Sequence, residues 1–287
     1  MNEPRVGAYY ALAAYLFWGV APVYFVWVNF AQPLEILSQR ILWSVPLLAL
    51  MVTAARAWSE VASVTRRDLL VLSCCAALLS INWLTFIYAI TSGNIAETSL
   101  GYYITPLVSI VLGKLFLGEP MRPLQWLATA CAAVGVCVEL LSLGAVPWLG
   151  LALAFSFGFY GLARKHIQLS APLALGIETI MVAPLAMTFL LWADLPHRDL
   201  SEASLLALGG LVTVVPLVCF GAAARRLPLS TLGFFQYIAP SLSLLLAVYV
   251  YHEVVALERW INLALIWLGL VIYSAESVYQ QRRLSVN

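Results

Sequence analysis

Residues 95–126 read IAETSLGYYITPLVSIVLGKLFLGEPMRPLQW, and the chain says this stretch twice. Displaced by 134 residues, Tyr103, Ile104 and Pro106 fall on Tyr237, Ile238 and Pro240 without a gap. In the same register Ser109 meets Ser243, Leu112 meets Leu246, Glu119 meets Glu253, Trp126 meets Trp260 and Gly135 meets Gly269. Shared hydrophobicity alone does not align tyrosine, proline, glutamate, tryptophan and glycine, so the register marks an internal duplication. A period this long divides the molecule into two halves and is not that of a solenoid. Each copy is about 20 apolar residues with a proline inside and a glutamate at the end, the pattern of a membrane helix.

Composition agrees. Hydrophobic residues are 63% of the 287 and charged ones 10%, with a mean hydropathy of +0.92, outside the usage of soluble domains. A net charge of +1 points to neither nucleic acid nor an acidic partner, so the positions of the charges carry the information. Cys74, Cys75, Cys131, Cys137 and Cys219 fall in apolar runs without metal-like neighbours and read as small core residues; no metal or cofactor is expected. The run Val6 to Val28 exceeds a signal-peptide core and lacks a basic lead and cleavage site, so it reads as a first membrane helix that stays.

Ten apolar segments are expected, near 6–28, 33–55, 69–90, 95–117, 123–142, 146–164, 172–192, 204–224, 229–251 and 259–277. The gap 56–68 is expected to hold a short surface helix with Trp58 at the interface. With the N-terminus in the cytoplasm, eleven of the fifteen lysines and arginines lie inside. Only Arg198 and Arg259 lie outside, and Arg40 and Lys114 are within helices. That bias places both termini on the cytoplasmic side. Five helices per half is an odd number, so the second half enters the membrane upside down. The expected fold is all-α, ten transmembrane helices as two inverted five-helix repeats, 1–142 and 143–287. This is a recurrent plan of secondary transporters, with the solute held at the midplane.

The run NWLTFIYAITSGNIAETSLGYYITPLVSIVLGKLFLGE (82–119) resembles the signature of the RarD-type permeases of the EamA family, drug/metabolite transporter superfamily. TVVPLVCFGAAARRLPLSTLGFFQYIAPSLSLLLAVYVYHE (213–253) resembles the matching second-half motif, and ALAAYLFWGVAPVYF and FSFGFYGLARK fit as well. The resemblance covers nearly the whole chain. It implies a ten-helix inner-membrane permease with its third, fourth, eighth and ninth helices around a central cavity. Relatives move small, often amino-acid-like metabolites, mostly outward, and the resemblance does not identify the solute.

Six prolines sit mid-helix (Pro22, Pro46, Pro106, Pro184, Pro216 and Pro240), each removing a backbone donor and freeing a carbonyl. The repeat mates Pro106 and Pro240 are candidate hinges, or else fixed packing kinks. Glu97, Gly101, Thr105 and Ser109 form one polar stripe on the fourth segment; Ser230, Gly233, Tyr237 (with Gln236 beside it), Pro240 and Ser243 form the matching stripe on the ninth. Small residues there serve helix packing, whereas Gln236 and Tyr237 are bulkier than packing requires. Aromatics crowd the same segments. A largely aromatic wall with a few neutral polar groups suits a small amphipathic solute. The candidate solute-binding set is Trp18, Asn82, Trp83, Phe86, Tyr103, Tyr160, Gln236 and Tyr237. Trp27, Trp58, Trp126, Trp148, Trp192 and Trp260 lie near segment ends, as interface anchors do.

Charge inside a bilayer is costly unless paired or near water. Glu35, Glu97, Glu139, Lys114 and Glu276 lie within two turns of a segment end and are expected to reach the interface; Arg40 and Glu178 lie deeper. Glu35 is on another face from Arg40, so Arg40 is expected to pair with Glu97, or to snorkel along its own helix. A shift of 139 residues superposes Pro33-Leu34 on Pro172-Leu173 and Gln39 on Glu178. Glu178 thus carries an acid where the other half has an amide. Desolvation disfavours charge there, which suits a proton-exchanging group; the alternative is a glutamate paired with Arg164 that stitches helices.

An enzyme is not expected. His166, His197 and His252 are at segment ends or in loops, Asp68, Asp194 and Asp199 lie outside the segments, and there is no HExxH or intramembrane Ser–His pair. The expected partners are a small solute and the lipid bilayer; a monomer suffices, and a homodimer is compatible. The expected activity is alternating-access export of a small organic solute, with a proton as candidate coupling ion. The alternatives are facilitative uptake and a non-transporting scaffold or regulator.

Overall fold

Prolines and glycines punctuate the helices where the sequence places them. The computed structural model of the chain describes residues 3–92, 94–252 and 255–286. Its α-helices are α1 (Glu3–Trp27), α2 (Pro33–Ala54), α3 (Arg66–Thr91), α4 (Ile95–Leu117), α5 (Pro123–Leu143) and α6 (Trp148–Arg164). They continue with α7 (Ala171–Trp192), α8 (Leu200–Ala224), α9 (Leu229–Gln236), α10 (Ile238–Tyr249) and α11 (Leu257–Val286). No strand occurs among the described residues. Proline opens α2, α5 and α7 within their first two positions, where a missing N–H costs nothing. Gly118 and Gly144 close α4 and α5 in the left-handed region, at φ +62° and +68°. Asp199 caps α8 by accepting the Glu202 N–H at 2.7 Å. The surface helix expected in 56–68 is a 3-10 turn, Ala57–Ser63, whose exposed Trp58 donates to Thr53 at 2.8 Å.

The expected ninth segment is two helices. α9 ends at Gln236 and α10 starts at Ile238. Pro240 has no N–H to give the Gln236 carbonyl, and its ring crowds that carbonyl, so the ladder breaks one turn ahead of the proline. Its repeat mate Pro106 leaves α4 continuous. Among the described residues nine spans are long and apolar enough to cross a membrane, α9 and α10 counting as one. The remaining helix, α6, has 17 residues, at the lower limit of length for a span. The chain is thus an all-helical, multi-pass membrane protein. The repeat mate of Glu119, Glu253, lies outside the described residues.

Packing crosses between the first five helices and the rest. α5 packs on α11, α4 on α6 and α9, α2 on α7 and α8, α1 on α8 and α10, and α3 on α6 and α7. The largest core cluster lies where α1, α6 and α8 meet, around Tyr15, Tyr160 and Phe220. Where α5 crosses α11, a Cβ on Gly135 would stand 2.7 Å from Asn262, and one on Gly269 2.7 Å from the Ala128 carbonyl. Where α1 crosses α10 and α6 crosses α4, a Cβ on Gly19 would meet Leu242 at 2.8 Å, and one on Gly158 would meet Val108 at 2.6 Å.

Candidate functional site

α2, α3, α7 and α8 enclose a narrow crevice of about 10 Å³, room for one water. Its walls are mainly apolar (Ile41, Leu79, Leu175, Val182), with Ser44, Ser80, Thr179 and Thr213 as neutral polar groups. Trp83 and Glu178 line it as well, so two of the expected site residues face one space.

Thr213 and Trp83 also hold Arg40. The Arg40 Nε donates to the Thr213 hydroxyl at 2.8 Å, and its Cζ lies 5.3 Å from the Phe25 ring centroid and 5.6 Å from that of Trp83. Such contacts are favourable for a guanidinium out of water. The aromatic frame continues through Phe86, whose ring is 6.3 Å from Phe25 and 6.3 Å from Tyr102. Gly209 makes room: a Cβ there would stand 2.5 Å from both the Arg40 Cγ and the Tyr24 hydroxyl. The expected Arg40–Glu97 ion pair is not made. Glu97 instead accepts the Leu149 N–H at 3.0 Å, at the start of α6. α2 packs on α7 and α8 rather than on α4, so equal depth in the membrane does not bring the two side chains together.

Glu178 is paired with Arg164. The Arg164 Nη1 donates to Glu178 Oε1 at 2.8 Å, and both side chains are 2% exposed. The Tyr160 hydroxyl donates to the other carboxylate oxygen at 3.4 Å. The Arg164 Nε is buried without a partner, and Gly221 of α8 leaves space for the guanidinium. Tyr160 stacks on Phe220 at 5.7 Å, and Trp18 packs into the same aromatic group through Phe157 and Phe220. Trp18 and Tyr160 therefore form the packed wall behind the ion pair.

The other expected site residues hold helices together in this structure. Asn82 donates at 3.0 Å to both the Leu153 carbonyl and the Ser156 hydroxyl, joining α3 to α6. Gln236 accepts from Ser109 at 3.2 Å, joining α9 to α4. Tyr103 and Tyr237 pack in one buried cluster, and the Tyr237 hydroxyl has no partner. Gln236 and Tyr237 are buried beside the α9–α10 break and do not line the crevice.

The shallow acids turn inward. Glu35, Glu139 and Glu276, expected at the interface, are buried and bridge the two halves. Arg198 grips Glu35 through Nε at 3.0 Å and Nη2 at 2.7 Å, which holds the loop guanidinium above its ordinary pKa. Arg259 lies 3.3 Å from Glu139, which also accepts from Asn262; Arg122 lies 3.4 Å from Glu276. Sequence reasoning marked Glu119 only as a helix end. Its carboxylate accepts the Leu229 N–H at 2.6 Å, the Ser230 N–H at 2.8 Å and the Ser230 hydroxyl at 2.6 Å, capping α9 from the turn that follows α4. Phe25 and Thr213, which hold Arg40, were also missed; nothing in their own segments singles them out.

The profile of the EamA-like transporter family matches the chain twice, over residues 5–141 and 145–275. An "Uncharacterized transporter" of Vibrio cholerae is 46% identical over 285 residues, covering 96% of this chain and 94% of its own. "Protein RarD" of Escherichia coli is 43% identical over 292 residues, covering 99% of both chains. A crystal structure 18% identical in sequence superposes with a TM-score of 0.73 over 93% of this chain and 96% of its own, a likeness of fold.

Proposed function

The chain belongs to the EamA-like transporter family, and from that premise we propose that it is an inner-membrane permease exporting a small organic, amino-acid-like or amphipathic solute by alternating access. In this reading ten spans form two inverted halves, 1–142 and 143–287, with both termini cytoplasmic. The exchange of helix roles supports it. If α1, α2, α3, α4 and α5 trade places with α6, α7, α8, α9–α10 and α11, the α1–α8 contact becomes α6–α3. In the same way α4–α6 becomes α10–α1 and α2–α8 becomes α7–α3, all of which exist. The close approaches obey the same rule. Gly135 and Gly269 are repeat mates, and so are the residues they meet, Asn262 and Ala128; Gly19 with Leu242 likewise corresponds to Gly158 with Val108.

The observation that carries the reading is the crevice at the junction of the halves, walled by α2 and α3 from one and by α7 and α8 from the other. Rocking one half against the other opens such a space to one side at a time. On the side proposed as cytoplasmic, Tyr15, Arg164, Glu178, Phe220 and Tyr237 are buried to 2% exposure or less. A space sealed on that side suits a state closed to the cytoplasm. Glu178 is the proposed coupling group: a proton added to its carboxylate neutralises it, loosens the tie to Arg164 and leaves again when the cavity faces the other side.

The test begins with thermal stabilisation of purified protein by amino acids, their derivatives, nucleosides and amphenicol-like compounds. A scaffold would be stabilised by none of them. The stabilising solute is then followed in proteoliposomes. Glu178→Gln should abolish accumulation driven by a pH gradient while solute exchange continues. Gradient-driven accumulation in that variant would place coupling elsewhere.

A further inference from the structure

Two arginines lie deep in this protein, and their surroundings correspond through the repeat. In the registers of 139 residues for the first two helices of each half and 134 for the rest, Phe25 corresponds to Arg164, Gln39 to Glu178 and Phe86 to Phe220. Phe86 flanks the Arg40 frame as Phe220 flanks the Arg164 cluster. The difference is the anion. Arg164 has Glu178 at 2.8 Å. Arg40 has no carboxylate within ion-pair reach among the described residues, and the repeat position of Glu178 in its half is the neutral Gln39. One of its five N–H groups is accounted for, by Thr213. The Tyr24 hydroxyl, in a residue 4% exposed, meets the same point of α8 and also lacks a partner.

We propose that Arg40 is the anchor for a carboxylate group on the transported solute, which takes at Arg40 the role that Glu178 takes at Arg164. The inference rests on the transporter reading above and names its substrate class: small monocarboxylates with an apolar or aromatic body. Geometry selects the carboxylate. The Phe25 and Trp83 ring centroids lie 5.3 and 5.6 Å from the Arg40 Cζ and Thr213 takes the Nε–H, so the two Nη groups remain for a planar, two-oxygen group to bond in a fork. Trp83 and Thr213, which hold Arg40, also line the crevice, so a solute anchored there extends its body between Ile41, Leu79 and Val182. In this structure the crevice has room for one water, about 10 Å³, so its walls part to admit one ring or a branched chain. A single carboxylate matches the one cation, whereas a phosphate dianion would leave charge over.

The experiment uses the full-length protein in detergent and reads apparent Kd from ligand-dependent thermal stabilisation. The probes are benzoate, phenylacetate and 4-methylpentanoate, each against its own primary amide. At least one acid should stabilise the wild type, with its amide binding at least about tenfold more weakly. Arg40→Gln should weaken the acid by about 10- to 100-fold and leave the amide unchanged, the range expected for charge-assisted hydrogen bonds. Arg40→Lys, which keeps the charge and loses the fork, should lie between; with Thr213→Val, expected to weaken the acid a few-fold, it serves if Arg40→Gln does not fold. Equal binding of acid and amide, an unchanged acid Kd in Arg40→Lys and Thr213→Val, or no stabilisation by any acid overturns the proposal. Stabilisation and flux with a neutral or cationic solute would overturn the anchor alone. Absence of flux for every stabilising solute would overturn the transporter reading instead.

Discussion

Replacing Glu119 with alanine should strongly destabilise the protein at the start of α9. The carboxylate is 9% exposed and accepts three hydrogen bonds of 2.6–2.8 Å from the first residues of α9. A hydrogen bond to a charged group contributes about 1.5–3 kcal/mol, and deletion leaves two backbone N–H groups buried without acceptors. The bonds share one carboxylate and do not add fully, so the expected loss is about 3–5 kcal/mol. At about 2–4 °C per kcal/mol, the melting temperature in detergent falls by roughly 6–20 °C. Ser230→Ala removes one bond of the three and should cost about 1 kcal/mol alone. In the Glu119→Ala background it should cost close to nothing, which a double-mutant cycle reads as coupling. A loss below about 1 kcal/mol for Glu119→Ala, or strict additivity with Ser230→Ala, would refute the capping role.

Three further outcomes follow from the geometry. Arg164→Met strands the Glu178 carboxylate and should cost about 3–5 kcal/mol, much of it restored by adding Glu178→Leu; thermal melts of the single and double variants check this. Gly269→Ala drives a methyl toward the Ala128 carbonyl, a backbone atom that cannot swing away, and should cost about 1–3 kcal/mol in the same assay; Gly135→Ala should behave alike at the corresponding point of the crossing. For orientation, a cysteine at exposed Ser201 should react with impermeant reagents on intact cells and one at exposed Ser63 should not; labelling of Ser63 would overturn the topology. Ser201 is a better site than Gly144, whose φ of +68° would strain a cysteine.

Helix positions were legible because a bilayer admits few alternatives to long apolar runs, and proline and glycine mark their ends. The repeat register rests on Glu119, Pro106, Gly135 and their mates, which stand out against an aliphatic background. The break at Tyr237 was half visible: Pro240 announces a lost hydrogen bond, but Pro106 loses the same bond inside a continuous helix. What decides between bend and break is the surrounding packing, which the local sequence does not contain. Partner choice was the least legible. Arg40 and Glu97 share a depth, but the helix neighbours decide which depths meet, and α2 faces α8. Glu35, Glu139 and Glu276 have their partners more than 115 residues away, so each looked like a lone interfacial acid.

Those distant pairs bear on the mechanism. In the proposed orientation the outer rim joins the halves through Glu35–Arg198, Glu139–Arg259 and Glu97 at the start of α6. The inner rim joins them through Glu3–Arg226, Glu276–Arg122 and Glu119 at the start of α9. Two of the inner clasps are wet: the Glu3 side chain is 74% exposed and that of Arg122 47% exposed. Ion pairs open to water contribute little, so Glu3–Arg226 holds the inner rim weakly, and Glu276–Arg122 is buried only on its carboxylate side, at 5%. The outer pair Glu35–Arg198 is drier, at 1% and 15%. Under the proposed alternating access, resistance to inward opening therefore rests largely on Glu119 and its grip on α9. α9 is also the eight-residue helix that ends at the Tyr237 break. Under the proposed alternating access, the short helix held by Glu119 is the part of the inner rim expected to move first.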